Sequence, residues 1–467
     1  MTAEIFKHGY IDVQDAQQNN LQHVNLKIPK YATTVFVGLS GSGKSSLVFD
    51  TIAAASRREL NETFPSFTQQ YLPKYGQPHV GTIEHLPVAI VIAQQRLGKN
   101  ARSTLATYTG IYSLLRLLFS RVGQPFIGYS DTFSFNLPQG MCPTCQGLGY
   151  VDDIDESKLI DPEKSLNQGA ITFVSFAPDT WRWRRYATSG LFDNDKPLKD
   201  YTAAEFELLM HAPQRKLAHP GEGFPRSALY EALVPRIQRS IIGKKEAEHH
   251  KDAIAAVVTR KACPTCHGTR LRAEVLTNRI NGVNIAEVAA MDLKHVVQFL
   301  NGITAPLAVD VVRELVTKIQ SLVDIGLGYL TLDRGTSTLS GGEAQRIKIA
   351  KYLTSALVDM AYILDEPSVG LHPHDIQLIK AALTKLKAKG NTVLIVEHNP
   401  AMFAFADYVV EMGPRAGQRG GQVTFTGTYP ELLASETLTG RWLRQPKTWP
   451  TPRSATGQLR LEHVTQN

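Results

Sequence analysis

The sequence predicts an α/β core interrupted by a long, mainly helical insertion, and three observations carry that expectation. Thr33-Thr34-Val35-Phe36-Val37, Ala361-Tyr362-Ile363-Leu364-Asp365-Glu366-Pro367 and Thr392-Val393-Leu394-Ile395-Val396-Glu397 are mainly apolar runs of strand length, the second ending in two carboxylates and the third at His398. Helix-forming composition alternates with them, as in Ser46–Arg58 and in Ile376 to Lys389, the latter stopping at Gly390. Two identical tetrapeptides, Cys142-Pro143-Thr144-Cys145 and Cys263-Pro264-Thr265-Cys266, lie in the long stretch between the first strand and the other two.

The chain has 467 residues, 43% hydrophobic and 20% charged, which suits a soluble protein with several cores. Its longest apolar run, around Val88–Ala93, is strand-sized, far below the roughly 18 residues of a membrane span. No membrane partner is expected. The opening Met1-Thr2-Ala3-Glu4 lacks a basic and then apolar leader, so the expected location is cytoplasmic. A net charge of +7 is compatible with a polyanionic partner without requiring one. The four cysteines all fall in the two tetrapeptides, a pattern that favours metal over disulfides.

The strand Thr33–Val37 feeds Gly38-Leu39-Ser40-Gly41-Ser42-Gly43-Lys44-Ser45-Ser46, a phosphate-binding loop in its strand–loop–helix context. Gly38, Gly41 and Gly43 let backbone amides approach phosphates, Ser40 and Ser46 flank them, and the helix start adds positive potential. Lys44 is placed for the outer phosphates and Ser45 for Mg²⁺. The second strand ends at Asp365, a magnesium-side carboxylate, and Glu366, the expected general base. Nearly 300 residues after the phosphate loop comes Leu339-Ser340-Gly341-Gly342-Glu343-Ala344-Gln345-Arg346, the signature peptide of an ATP-binding cassette, opening a helix from Glu343 to about Leu357.

This pair of motifs implies a cassette-type P-loop ATPase core. In that superfamily the signature of one cassette closes over the nucleotide of another. Ser340, Gly341, Gly342 and Glu343 are therefore expected to meet ATP held by a second molecule, and a lone chain should hydrolyse poorly. The same resemblance implies that His398 senses the γ-phosphate, that Pro367–His372 crosses to the opposite cassette, and that Gln94 touches Mg²⁺ and water. Gln95 leaves the last register open by one residue, with Gln94 preferred.

About 200 residues beyond an ordinary cassette intervene before the signature, and both cysteine pairs lie among them. Each Cys-x-x-Cys puts two thiolates on one turn; Cys142, Cys145, Cys263 and Cys266 together supply the four sulfurs of a closed Zn²⁺ site, with a redox role as the alternative. Zinc would then staple the start of the insertion to its end. Trp181-Arg182-Trp183-Arg184-Arg185-Tyr186 reads either as a nucleic-acid surface or, preferred, as an amphipathic segment with buried tryptophans. Arg236, Arg239, Lys244, Lys245, His249, His250 and Lys251 form a basic stretch that serves phosphate contact or a solvated face.

Taken with Phe49-Asp50-Thr51-Ile52, Arg102-Ser103-Thr104, Phe133–Pro138, Cys266–Arg272, Gly326–Arg334 and Leu371-His372, these motifs resemble the UvrA family nearly end to end, specifically its first ATPase half. The resemblance implies ATP, Mg²⁺ and Zn²⁺ as cofactors, duplex DNA as partner, and a role in damage recognition for nucleotide excision repair, with no nuclease site of its own. Two departures stand out. UvrA carries two cassettes where this chain has one, so a homodimer or a second half-size UvrA-like subunit is expected. The UvrB-docking domain is missing, because Leu118–Gly123 passes almost directly through Pro125–Ser130 to the first cysteine pair, which puts UvrB binding in doubt. The alternative is a resistance or regulatory ATPase acting on DNA-bound drugs outside the incision pathway; a membrane exporter lacks a span.

The expected organisation is 1–85, first part of the nucleotide-binding core; 86–141, glutamine segment and helical arm; 142–272, zinc-stapled insertion; 273–345, a helical approach to the signature; 346–445, the rest of the core; and 446–467, a tail.

Overall fold

The computed structural model describes residues 2–94, 97–98, 100–225, 227–239, 254, 256–445 and 460. Gln95, the basic residues Lys244, Lys245, His249, His250 and Lys251, and the tail other than Arg460 lie outside the described residues. The chain divides into two compact units, one made of Met1–Gly123 with Ile280–Asn467, the other of Gln124–Arg279.

In chain order the strands longer than two residues are β1 (Tyr10–Ala16), β2 (Val24–Pro29), β3 (Thr33–Val37), β4 (Thr82–Glu84) and β5 (Ala89–Ile92) in the first unit; β6 (Tyr150–Ile154) and β7 (Val258–Ala262) in the second; and β8 (Ala361–Asp365), β9 (Thr392–Val396), β10 (Tyr408–Gly413) and β11 (Gln422–Gly427) back in the first. The main sheet has the order β11-β10-β3-β9-β8-β5. Every neighbouring pair in it is parallel except β10 with β11. β3 and β9 are buried at every residue, as expected of strands covered on both faces, which is why they read as unbroken apolar runs. Pairing of Asp365 with Val396, Val396 with Phe36 and Leu364 with Ile92 brings the carboxyl ends of β3, β5, β8 and β9 to one edge.

A small antiparallel sheet, β2-β1-β4, packs against this one through Ile11, Val13, Leu26 and Ile28, which share a core with Phe36, Leu47, Val48, Ile52, Ile363, Leu394 and Val410. Each such side chain contributes about 1.5–3 kcal/mol on burial. Helix α1 starts at Lys44–Leu47 and runs on through Val48–Ala53 and Ala54–Glu62. It covers the core with Leu47, Val48 and Ile52.

The second unit holds the antiparallel pair β6–β7, registered from Tyr150 with Ala262 to Ile154 with Val258. Its other regular elements are short helices, among them α2 (Trp181–Ala187) and α3 (Leu233–Ile237), around a core of Phe173, Phe176, Tyr186, Leu209, Tyr230 and Leu233. Bridges of Gln124 with Arg279 and Met141 with Leu271 join the unit's two ends. The unit thus begins before and ends after the expected 142–272.

Back in the first unit, α4 (Gly341–Leu353) starts on a reciprocal cap. The Glu343 amide donates to Ser340 Oγ (3.2 Å) and the Ser340 amide to the Glu343 carboxylate (2.7 Å). It ends four residues before the expected Leu357, and Lys389 Nζ satisfies the Leu353 and Ser355 carbonyls left without helical partners there. Helix α5 (Pro373–Ala388) has Pro at its first position, and Gly390 follows its end with φ +81°.

Candidate functional site

The phosphate loop leaves β3 at Gly38, whose φ is +131° and whose added Cβ would lie 2.1 Å from the Met412 carbonyl oxygen. No other residue type fits there. Lys44 is buried at the start of α1, and its Nζ donates to the carbonyls of Gly38 (3.0 Å) and Leu39 (2.8 Å). Burial lowers its pKa, an effect countered by the Glu366 charge. Ser40 and Ser45 are exposed beside it, and Ser46 Oγ donates to Asn20 Oδ1 at 3.1 Å.

The loop is braced from behind by residues that the motif reading missed. Asn20 Nδ2 donates to the carbonyls of Gly41 (3.1 Å) and Gly417 (3.2 Å). The Gly417 amide donates to the Gly41 carbonyl and the Gly421 amide to the Ser42 carbonyl, at 3.0 and 2.9 Å. The available signal was the glycine density of Gly413-Pro-Arg-Ala-Gly-Gln-Arg-Gly-Gly421 after an apolar strand. Gly421 has φ +78° and an added Cβ would sit 1.8 Å from the Asn20 carbonyl oxygen. We expect Gly421→Ala to displace this brace, lowering stability by about 1–3 kcal/mol and weakening nucleotide binding. Thermal unfolding with and without nucleotide checks it, and an unchanged midpoint with unchanged affinity contradicts it.

Asp365 closes β8, half-buried, and its pKa is raised by burial and then by the charges of Glu366 and Glu397. Glu366 is not the last strand residue. It turns into the left-handed region, φ +42°, while its amide still donates to the Val396 carbonyl at 2.9 Å. Such a conformation costs on the order of 1 kcal/mol in a residue with a Cβ. Two side chains converge on it. Gln94 Nε2 donates to the Glu366 carbonyl (3.0 Å), and His398 Nε2 lies 3.5 Å from Glu366 Oε1.

Glu397, expected only as the end of the third strand, ties this corner together. Its carboxylate is 1% exposed and accepts three backbone amides, from Ser368 (2.8 Å), His398 (2.8 Å) and Asn399 (3.0 Å). One side chain therefore ties the turn after Glu366 to the backbone at His398 and Asn399. Glu397→Gln offers an amide nitrogen where an acceptor is needed. A buried donor left facing donors costs about 1–3 kcal/mol. The expected outcome is a fall in turnover larger than any change in nucleotide affinity; equal turnover would remove Glu397 from the account.

The signature residues occupy a different place. Ser340, Gly341 and Gly342 open α4, and Glu343 is held by the Ser340 amide and by Tyr329, whose hydroxyl donates at 2.6 Å. Gln345 Nε2 donates to the Asp365 carbonyl (2.8 Å) and Lys348 Nζ to the Ala93 carbonyl (2.9 Å), anchoring α4 on the β8–β5 side. β5 stands three positions from β3 in the sheet, roughly 14 Å at the usual strand spacing. No hydrogen bond among the described residues joins Ser340, Gly341 or Gly342 to the phosphate loop of the same chain.

In the second unit the four cysteines are buried and their sulfurs lie within 4.8 Å of one another. Cys142 Sγ and Cys263 Sγ are 3.9 Å apart, Cys145 Sγ and Cys266 Sγ 3.6 Å. Tetrahedral zinc with bonds near 2.3 Å separates its sulfurs by about 3.8 Å. The donor set fits that ion. The β6–β7 pair places the two turns together, since Cys145 precedes β6 and Cys263 follows β7. His267 lies outside the cluster.

The tryptophans of α2 are not buried as preferred above. Trp181 is 59% exposed and Trp183 half-buried, its Nε1 donating to the Leu166 carbonyl; Tyr186 is the side chain that enters the core. The helix is too short for a full apolar stripe, so only one aromatic turns inward.

No protein-family model matches the chain. Over 514 residues it is 33% identical to UvrABC system protein A of Paucimonas lemoignei, covering all of this chain and 74% of that protein. Over 604 residues it is 31% identical to UvrABC system protein A of Thermus thermophilus, covering 95% of this chain and 63% of that one. The crystal structure of UvrA2 from Deinococcus radiodurans matches with a TM-score of 0.77 at 30% identity, over 97% of this chain and 60% of that chain. The chain thus spans about three-fifths to three-quarters of the length of these relatives.

Proposed function

The chain belongs to the UvrA family, and from that membership we propose that it is an ATPase that works as one half of a dimeric clamp on duplex DNA in damage recognition for nucleotide excision repair. The observation that carries the reading is the convergence of Gln94, Glu366 and His398 at the sheet edge where the phosphate loop emerges. In this reading the loop amides and Lys44 hold the triphosphate. Ser45, Asp365 and Gln94 would hold Mg²⁺, which supplies charge neutralisation on the phosphate oxygens. Glu366 takes a proton from the water whose oxygen attacks the γ-phosphorus, the bond to the ADP oxygen breaks, and His398 meets the phosphate oxygens. Ser340 and Gly342 of a second copy, or of another half-size subunit, close the site from the far side. Its turnover would drive a change of grip on DNA, and zinc at the four cysteines would hold the second unit's ends together.

Duplex affinity should fall steeply as salt rises, with a slope of about −0.9 in log K against log salt for each phosphate neutralised. An affinity equal at low and physiological salt contradicts the DNA reading. A second reading, action on DNA-bound drugs without UvrB, is favoured by the alignment itself: 604 positions are needed to match a chain of 467 residues, so the relative holds segments without counterpart here. Retention of this chain by immobilised UvrB would exclude it; failure of retention, with a deletion strain sensitive to intercalators rather than ultraviolet light, would support it.

A further inference from the structure

Strand β10 ends beside the phosphate loop, and its residue Glu411 is 2% exposed there. One carboxylate oxygen, Oε1, accepts the Thr439 amide at 2.9 Å, from helix α6 (Leu438–Arg444). The other, Oε2, is buried and has no hydrogen-bond partner among the described residues. A carboxylate oxygen buried without a donor is costly, so it marks a place where a donor belongs. Glu411 lines a cavity of about 640 Å³. That is far more than the roughly 30 Å³ share of one water, and lies within the roughly 300–1,000 Å³ of small-molecule sites. The cavity is walled by the apolar Leu39, Met412 and Leu438, and the exposed Arg415 and Arg441 line it as well. A second carboxylate in the lining, Glu436, is already paired with Arg444 at 2.8 Å. The cavity also touches the phosphate loop, to which Leu39 belongs, and the Met412 carbonyl oxygen would lie 2.1 Å from a Cβ added at Gly38.

We propose that this cavity binds a small zwitterion, its nitrogen donor on Glu411 and its acidic group on Arg415 and Arg441, and that occupancy changes the hold of the adjacent loop on nucleotide. An ammonium or amino group supplies the hydrogen that Oε2 lacks, and two guanidiniums suit a carboxylate or a phosphate. Apolar walls between the two ends favour a ring or short chain joining them. A cation alone is disfavoured by the arginines, an anion alone by Glu411. The site goes beyond the ATPase reading; only its coupling to nucleotide rests on that reading.

The test measures binding of 4-(aminomethyl)benzoate to the full chain by saturation-transfer magnetic resonance, with benzylamine and benzoate as the two half-molecules. The whole probe should bind with a dissociation constant of about 1 mM or tighter, and roughly tenfold better than either half. Arg415→Gln with Arg441→Gln, both at exposed positions, should bring the whole probe down to the level of benzylamine. Glu411→Gln turns the acceptor into a donor and should weaken the whole probe about tenfold, with circular dichroism confirming the fold. The same comparison with 4-(aminomethyl)benzylphosphonate reads which acid the arginines prefer, and either preference supports the site. With Mg²⁺-ATP present, probe affinity should shift to a plateau, the mark of coupling between separate sites. An affinity that ATP leaves unchanged would strike the coupling, and a fall without a plateau would put the probe in the phosphate loop itself and overturn the proposal. Equal binding of a half-molecule, unchanged binding by the arginine double variant, or no saturable binding of any probe would overturn it too. Failure of the wild type to bind or hydrolyse ATP would sink the ATPase reading, with probe binding unaffected.

Discussion

Glu366→Gln is expected to cut ATP turnover by about 10²- to 10⁴-fold, the usual contribution of a general base, while nucleotide still binds. The argument is geometric. The residue sits in the left-handed region, off the end of β8. That turn costs free energy. It aims the carboxylate past Asp365 toward His398 and brings its carbonyl to the Gln94 amide. The isosteric amide keeps the shape and the backbone bonds, so binding through Lys44 and the loop amides persists. Without a base, nucleotide should accumulate uncleaved and hold the closed form. Single-turnover measurement with labelled ATP checks this, and undiminished hydrolysis would remove Glu366 from the chemistry.

The second large effect concerns the cysteines. Purified protein should carry one zinc per chain, released on denaturation or by thiol-modifying reagents. Cys142→Ser with Cys263→Ser should lose that metal and destabilise the second unit, since structural zinc contributes folding energy outright, of order 10 kcal/mol in isolated finger peptides. The reason lies in the unit's construction. Among the described residues its ends meet through two isolated bridges, a five-residue strand pair, the sulfur cluster and a few side-chain hydrogen bonds, such as Asn278 Nδ2 to the Pro125 carbonyl (2.8 Å). Ion pairs along the strands, Lys261 with Asp153 at 2.6 Å and Arg260 with Asp152 at 3.4 Å, are solvent-exposed and contribute little. Limited proteolysis should therefore cut the double variant within the second unit far faster than wild type. Metal-free protein with wild-type resistance would show that β6–β7 and the aromatic core suffice.

The chemistry-bearing elements were legible because each is compact in sequence. The phosphate loop, Asp365-Glu366 and the two Cys-Pro-Thr-Cys turns put their reactive atoms within a few residues of one another, where spacing alone fixes geometry. What escaped notice works across distance. Asn20 meets the Gly417 carbonyl from 397 positions away, and Glu397 reaches back to the Ser368 amide; neither leaves a local pattern. The left-handed turn at Glu366 was also hidden, since an apolar run ending in two carboxylates looks the same whether or not its last residue continues the strand. At the early end of α4 the carbonyls are met by Lys389, a tertiary cap that helix-forming composition cannot foretell. At Trp181 the pattern was visible but its orientation was not, because alternating aromatic and basic residues fit either face.

The central claim is that ATP is enclosed by two protomers, each lending Ser340 and Gly342 to the other's phosphates. Light scattering of the Glu366→Gln protein, with and without ATP, tests it most directly. The account predicts a single protomer without nucleotide, twice that mass with it, and no such doubling once Gly342 is replaced by a bulky residue. A protein that stays monomeric with ATP, while the wild type turns over at full rate whatever stands at 340 and 342, would contradict it.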